Sequence, residues 1–283
     1  MESVLIDGKE IFLSSEEEIS LDFVKRDEPL RQLLASWILI NDKDYPLHPR
    51  IVGKPGVGKT SIGMAASVIL NLPLYIFQAT QDTRPEDLII TPVIADKGKI
   101  RYVASPLVSA VIKGGVCILD EGNRMSEKSW ASLASLLDHR RTVYSIIAGV
   151  KIKAHPNFRF CSTMNEDAST FDIPEYIESR LQPMIHIDFP FIEEEIEILK
   201  NNIPYAEDDL IMRIANFLQE SHRANLPFSI RDGINIARYT VKWTKQNGGK
   251  IEKNLEQSVL MICGDLGLSV LNPTFKPTNF FDF

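Results

Sequence analysis

The apolar residues of this chain follow two different patterns, which meet near residue 188. Before that point, amphipathic stretches alternate with short continuous apolar runs, at residues 74–78, 116–121 and 158–163. Continuous β-prone runs are typical of strands buried on both faces of a parallel sheet, whereas residues 61–71 and 127–138 carry apolar positions at helical spacing. This alternation predicts an α/β domain with a parallel sheet flanked by helices.

From residue 189 onward the pattern is helical throughout. Apolar positions recur at helical spacing in four segments between Pro and Gly breaks, at residues 193–201, 208–221, 229–246 and 255–264. This predicts a small all-helical second domain. We therefore expect three parts: an N-terminal extension with a packing helix at 1–48, the α/β domain at 49–188, and a helical lid domain with a C-terminal tail at 189–283.

Two segments interrupt the α/β pattern as candidate β-hairpins. Residues 91–105 and residues 140–154 each contain two strand-like runs around a turn signal. A further hairpin is predicted at residues 4–13, followed by an amphipathic helix at 28–40 that packs on the main domain. The sequence thus predicts a core domain that carries two hairpin insertions.

The composition narrows the class of protein. A length of 283 residues with 44% hydrophobic residues suits one large domain and a smaller one. The 31 basic and 38 acidic residues give a net charge of -7, the wrong sign for general attraction to nucleic-acid phosphates. The chain shows neither a signal-peptide pattern nor an apolar run long enough for a bilayer, so we expect a cytoplasmic protein. Cys117, Cys161 and Cys263 are odd in number and widely spaced, which favours buried thiols.

The clearest motif is GKPGVGKT at residues 53–60, which fits the phosphate-binding pattern G-x-x-x-x-G-K-[ST] between a predicted strand and a predicted helix. Glycines let the backbone N–H groups point at a phosphate chain, and the helix N-terminus adds its positive dipole end. Lys59 is expected to contact the β- and γ-phosphates, and the Thr60 hydroxyl to bind Mg²⁺. We predict a nucleoside triphosphate site formed by Gly53, Lys54, Pro55, Gly56, Val57, Gly58, Lys59, Thr60 and Ser61.

Three polar residues end the apolar strands that follow this loop. Asp120 and Glu121 close the run at 116–121, and Asn165 follows the run at 158–163. The carboxyl ends of parallel strands meet at one edge of the sheet, where an acid reaches a metal–phosphate complex. We expect Asp120 to hold Mg²⁺, Glu121 to act as the general base for the attacking water, and Asn165 to contact the γ-phosphate or orient that water.

Taken in order, these motifs resemble the AAA+ ATPases, and within them the MoxR-like group that includes the dynein-related ATPases. The resemblance extends from about residue 49 to residue 264 and rests on five motifs, at residues 53–60, 117–124, 155–165, 173–181 and 229–231. The two predicted hairpins stand where this group has its helix-2 and pre-sensor-1 inserts. The chain departs from the usual pattern at Lys54, Glu166 and Leu181, and none of these departures removes a catalytic group.

The resemblance implies ATP and Mg²⁺ as cofactors and a homo-oligomeric ring, usually a hexamer, with ATP between subunits. It marks Arg180 as the arginine finger and Arg231 as sensor 2. Hydrolysis would then drive remodelling or chaperone-like activation of a partner complex. In the MoxR-like group the partner often carries a von Willebrand A domain, so we expect a separate partner protein of this kind.

Two other functions stay open at this point. Residues 163–167 also resemble the GTP-using McrB group, so one alternative is a GTP- or ATP-driven motor subunit of a nucleic-acid-targeting complex. The net acidity of the chain argues against it. The other alternative is a nucleotide-gated scaffold with slow turnover, against which Glu121 argues. The tail at residues 272–283, with four phenylalanines, is expected to pack on its own domain.

Overall fold

A computed structural model describes residues 2–19, 26–41, 43–95, 98–166 and 172–274. The chain forms two compact units. The first comprises the described residues up to Gly53 together with Gly58–Ile187. The second comprises Lys54–Val57 and the described residues of Asp188–Phe283.

The first unit contains strands and helices in alternation. Its strands are β1 Ser3–Ile6, β2 Lys9–Phe12, β3 Arg50–Gly53, β4 Leu74–Gln78, β5 Ile90–Ile94, β6 Ile100–Ala104, β7 Val116–Asp120, β8 Thr142–Ser145, β9 Val150–Lys153, β10 Arg159–Asn165 and β11 Met184–Ile187. Its helices are α1 Asp27–Ser36, α2 Lys59–Leu70, α3 Pro85–Leu88, α4 Pro106–Lys113, α5 Glu127–Leu133 and α6 Glu175–Glu178.

The predicted parallel sheet is confirmed. Five strands lie in the order β11-β3-β10-β7-β4, and every neighbouring pair is parallel. All seven residues of β10 are buried, as expected for a strand covered on both faces. The register pairs Gly53 with Asn165, and Asp120 with Gln78, so the polar strand ends lie along one edge of the sheet.

The predicted hairpins form as antiparallel pairs, β1 with β2, β5 with β6 and β8 with β9. One association was not expected: β2 pairs in parallel with β6, which joins two hairpins into a four-stranded sheet of order β1-β2-β6-β5. Ile11 of β2 is fully buried in the main core as a result. The pairing aligns Ile11 with Tyr102, which is 91 positions later in the chain, and hydrophobic spacing along one strand does not identify so distant a partner.

Three helices differ from their predicted bounds. Helix α1 ends at Ser36, four residues before the predicted end at residue 40. Helix α5 ends at Leu133 rather than at residue 138, because the chain continues as turns that still bury Leu136 and Leu137. These side chains keep helical spacing without a continuous helix. In the second unit, the helix expected at 255–264 covers Ile251–Leu271 and bends at Gly264, whose φ is +67°.

The second unit is helical in its described part, with α7 Ile192–Asn202, α8 Asp208–Arg223, α9 Ile230–Asn247 and α10 Ile251–Leu271. Their apolar faces enclose a separate core around Leu199, Ile214, Leu218, Ile236 and Val259. The phenylalanine-rich residues 275–283 lie outside the described residues. In the described part of the chain, every helix is too short or too polar to cross a membrane.

The cysteines are free thiols. Cys117 and Cys161 are buried in neighbouring core strands, and burial raises the pKa of both. Cys263 is partly exposed, and burial raises its pKa to about 12. All three thiols are therefore protonated at neutral pH, which disfavours reactivity as thiolates.

Candidate active site

The phosphate-loop motif joins strand β3 to helix α2. Gly56 and Gly58 have φ values of +78° and +93°, which L side chains rarely adopt, so the loop requires glycine at both positions. Helix α2 begins at Lys59, directly after Gly58. All nine predicted nucleotide-binding residues, from Gly53 to Ser61, belong to this strand–loop–helix segment.

Lys59 lies at the start of α2 with its side chain buried. Its ammonium group donates a hydrogen bond to the carbonyl oxygen of Gly53, with a distance of 2.8 Å. This bond spans the two ends of the loop, so the charge is held where the loop closes. A lysine in this place supplies a positive charge for phosphate oxygens.

Asp120 ends strand β7, and its carboxylate accepts two hydroxyl groups. Thr60 Oγ1 donates to Asp120 Oδ1 at 2.8 Å, and Thr163 Oγ1 donates to the same oxygen. A hydroxyl and a carboxylate oxygen held together are hard oxygen ligands, the type that Mg²⁺ takes in phosphate-binding sites. Among the described residues, no group of three or more His, Cys, Asp or Glu could hold a metal ion alone. The Thr60 hydroxyl and the Asp120 carboxylate would suit an ion that is also bound by nucleotide phosphates.

Glu121 follows Asp120 in a left-handed backbone conformation, with φ 54° and ψ 39°. Such backbone is costly for a residue with a side chain and is concentrated at functional sites. Asn165 Nδ2 donates to Glu121 Oε1 at 3.2 Å. Arg124 Nε lies 2.7 Å from Glu121 Oε2, close enough for an ion pair although the N–H is not aimed for a hydrogen bond. The carboxylate is thus held between an amide and a guanidinium while about one third exposed.

Three residues of this arrangement were not among the predicted site residues: Asn123, Arg124 and Thr163. The Thr163 hydroxyl accepts a hydrogen bond from the backbone N–H of Glu121 at 3.0 Å. The Asn123 side chain makes two hydrogen bonds to the backbone of Asn165. Its Nδ2 donates to the Asn165 carbonyl oxygen at 2.8 Å, and its Oδ1 accepts from the Asn165 N–H at 3.4 Å. Thr163 stands two positions before Asn165 in a strand, on the same face, and this period of two is the signal that identifies it.

Arg180 lies beyond α6, and its contacts are local. Its Nη1 donates to the carbonyl oxygen of Tyr176, and its guanidinium carbon lies 6.0 Å from the centroid of the Tyr176 ring. The structure thus brings Thr60, Asp120, Glu121 and Asn165 together, whereas Arg180 contacts Tyr176 of the short helix that precedes it.

Arg231 belongs to the second unit, in the first turn of α9. Ser229 precedes this helix, and its N–H and hydroxyl both bond Asp232 Oδ2, at 2.8 and 2.9 Å. Within the same unit, a Cβ added to Gly56 would lie 2.4 Å from Ser229 Oγ and 3.7 Å from the Cβ of Arg231. The absence of a side chain at Gly56 therefore allows the start of α9 to approach Gly56 closely.

Comparisons with known proteins agree with this geometry. Residues 50–181 match the AAA domain family, dynein-related subfamily. The denitrification regulatory protein NirQ of Stutzerimonas stutzeri is 33% identical over 115 residues, which cover 41% of this chain and 42% of that protein. The von Willebrand factor A domain-containing protein 8 of Mus musculus is 25% identical over 235 residues, 75% of this chain and 12% of that protein. This chain therefore spans less than two thirds of the length of either relative.

Among solved structures, the RuvB Holliday junction branch migration motor of Thermotoga maritima aligns with a TM-score of 0.55 and 16% identity. The alignment covers 84% of this chain and 71% of that one. At this level of identity the likeness shows the fold alone. Residues 50–181 thus match an AAA domain of the dynein-related subfamily, and the predicted resemblance of the chain to the MoxR-like AAA+ ATPases is confirmed.

Proposed function

We propose that this chain hydrolyses ATP in a ring of like subunits and uses the hydrolysis to remodel or activate a partner protein complex. One observation carries the proposal. Asp120 is bonded to the Thr60 hydroxyl beside the phosphate loop, and the adjacent Glu121 is bonded to Asn165. The pair that we propose for Mg²⁺ and the pair that we propose for hydrolysis therefore neighbour each other in sequence, at Asp120 and Glu121.

In this proposal, the loop residues 53–61 bind the phosphates of ATP through backbone N–H groups, and Lys59 adds a positive charge. Thr60 and Asp120 would hold Mg²⁺, which when bound neutralises charge on the phosphate oxygens. The Thr60–Asp120 contact of 2.8 Å supports this assignment, because both oxygens are already within one ion's reach.

Glu121 acts as the general base that accepts a proton from the attacking water, and Asn165 orients the water or the base. The Asn165 amide already donates to one carboxylate oxygen of Glu121. The side-chain amide of Asn165 thereby orients the Glu121 carboxylate. A general base must have a fixed orientation if it is to face a single water molecule.

Arg180 and Arg231 are proposed to respond to the γ-phosphate from outside this cluster. We assign Arg180 to the nucleotide of a neighbouring subunit, because it lies on a segment separate from Glu121 and Asn165. We assign Arg231 to the nucleotide bound by its own chain, because it begins a helix next to loop residue Gly56.

The partner we propose is a protein with a von Willebrand A domain. The support is the mouse relative, whose name states that it contains such a domain and of which this chain spans 12%. The net charge of -7 disfavours a general nucleic-acid partner.

The experiment compares the wild-type chain with Glu121→Gln in two measurements. The amide keeps the shape of the side chain but cannot accept the proton, so we expect ATP binding to persist and turnover to fall by about 100-fold or more. The ATP-bound variant should also retain partner proteins that the wild type releases. Turnover of the variant at the wild-type rate would contradict the assignment, and equal turnover of GTP and ATP would favour the McrB-like alternative.

A further inference from the structure

Arg50 is a buried arginine at the start of strand β3, and its guanidinium binds one short segment of the chain. Nη1 donates to the carbonyl oxygens of Glu178 and Leu181, at 3.1 and 3.2 Å, and Nη2 donates to Glu178 Oε1 at 2.7 Å. A guanidinium presents its donors in a rigid planar fork, so three such bonds fix both the position and the direction of the segment. Arg180 lies between the two residues that are bound.

The attachment extends beyond the side chain of Arg50. Its backbone N–H donates to the carbonyl oxygen of Pro183 at 3.1 Å, and Ile177 and Leu181 are fully buried in the core. The bond to Leu181 is itself buried. Loss of the donor would leave a buried carbonyl oxygen without that partner, a change that favours movement of the segment.

The burial of Arg50 is itself unusual for its place. Arg50 is the first residue of a strand whose other residues, Ile51, Val52 and Gly53, carry no charge. Only 8% of the surface of Arg50 is exposed. Burying a guanidinium costs free energy unless its donors are satisfied. An arginine here is therefore explained by the segment it holds and not by the packing of the sheet.

We propose that Arg50 is a positioning residue that sets the place of Arg180 relative to strand β3. The inference rests on the proposed function, in which Arg180 completes the site of a neighbouring subunit. Strand β3 leads directly into the phosphate loop. The side chain of Arg50 therefore links Arg180, which a subunit offers to its neighbour, to the loop that binds the subunit's own nucleotide.

The test measures ATP affinity and turnover of the full chain with Arg50→Gln and Arg50→Lys. A displacement of about 1 Å in a catalytic group costs on the order of 100-fold in rate, so we expect kcat to fall about 10- to 100-fold in Arg50→Gln. ATP affinity should stay within about twofold, because the phosphate loop itself is unchanged. Arg50→Lys keeps the charge but not the fork and should be intermediate.

Two further variants provide controls. Glu178→Gln keeps an oxygen that accepts from Arg50 and should lose less activity than Arg50→Gln. Arg31→Gln removes an exposed guanidinium from α1, where it pairs with Glu28 at 3.5 Å, and should behave as wild type. Thermal unfolding of each variant identifies any that fail to fold. If Arg50→Gln does not fold, Arg50→Lys carries the same comparison.

The deciding measurement is the double variant Arg50→Gln with Arg180→Ala. If Arg50 acts through Arg180, the double variant turns over ATP no more slowly than Arg180→Ala alone. The proposal would be overturned if the fold-losses in turnover of the two single variants multiplied in the double variant. It would also be overturned if Arg50→Gln turned over ATP at the wild-type rate while Arg180→Ala was slow. Wild-type turnover by Arg180→Ala would instead refute the role of Arg180 in the proposed function, and the role of Arg50 would fall with it.

Discussion

The hydroxyl of Thr163 donates a hydrogen bond to the carboxylate of Asp120, across two neighbouring parallel strands. The same hydroxyl accepts the backbone N–H of Glu121, at 3.0 Å. One side chain therefore holds the residue proposed to bind Mg²⁺ and the backbone of the proposed general base. Thr163 is buried, so these bonds have little competition from water.

Thr163→Val should slow ATP turnover while leaving ATP bound. Valine has nearly the shape of threonine but leaves the Glu121 N–H without its acceptor, which costs about 1 to 3 kcal/mol for a buried group. If the cost falls on the transition state, kcat drops about 5- to 150-fold. Thr163→Ser, which keeps the hydroxyl, is the matched control and should retain most activity. Steady-state turnover equal to wild type in the valine variant would show that Thr163 serves packing only.

Arg231→Ala should weaken ATP binding and lower turnover together, because the proposed contact is to the nucleotide itself. A charge-assisted hydrogen bond of this kind is worth about 1.5 to 3 kcal/mol, or roughly 10- to 150-fold in affinity. Arg238→Ala, further along the same helix, removes another exposed guanidinium and should change neither quantity. Calorimetric titration with ATP gives the comparison. Equal affinity and equal turnover of the two variants would assign Arg231 to a local surface role.

His48 should make the stability of the fold depend on pH. Burial lowers the pKa of its imidazole from 6.5 to about 3, with Arg141 lowering it further and Asp138 acting in the opposite direction. The folded state therefore binds the proton less well than the unfolded state, so the neutral ring stabilises the fold fully above pH 6.5 and this contribution is lost as pH falls toward 3.

Between pH 6.5 and 4.5 the loss should be about 2 to 3 kcal/mol of unfolding free energy. Urea titrations at both pH values measure it. His48→Gln, which cannot titrate, should show a smaller pH dependence, whereas the exposed His139→Gln should match the wild type. If His48→Gln does not fold, an NMR titration of the wild type decides, since a His48 ring that protonates near pH 6.5 contradicts the prediction.

Local pattern was enough to predict the sheet strands, the three hairpins and the helical second unit. Continuous apolar runs identified β4, β7 and β10, and the order of motifs brought Thr60, Asp120, Glu121 and Asn165 to one edge. Contacts between distant segments were not predictable in the same way. Two examples are the hydrogen bond from Arg50 to Glu178 and the pairing of β2 with β6. Both depend on which distant segments meet in the fold, and the hydrophobic periodicity within one segment does not identify its partner.

The side chains missed at the site have a similar explanation. Arg124 reaches Glu121 because a short 3-10 helix at Gly122–Arg124 brings the guanidinium back toward the carboxylate. Asn123 was visible in the sequence as a polar residue after the acidic pair, but its role depends on the backbone of Asn165 in a neighbouring strand. Such a role can be predicted only when the register between neighbouring strands is known.

The most direct test of a ring with shared sites mixes two inactive variants. Arg180→Ala keeps an intact phosphate loop. Lys59→Ala keeps an intact arginine at 180 but loses the charge proposed to face the phosphates. Each alone should be almost inactive, since an arginine supplied in trans is worth about 10³ to 10⁵ in rate.

In an equal mixture, random assembly joins an intact loop to an intact arginine at about a quarter of the heterologous interfaces. We therefore predict that ATP turnover returns on mixing, toward about a quarter of the wild-type rate. Differently tagged variants that co-purify as mixed assemblies and yet stay inactive would contradict the account.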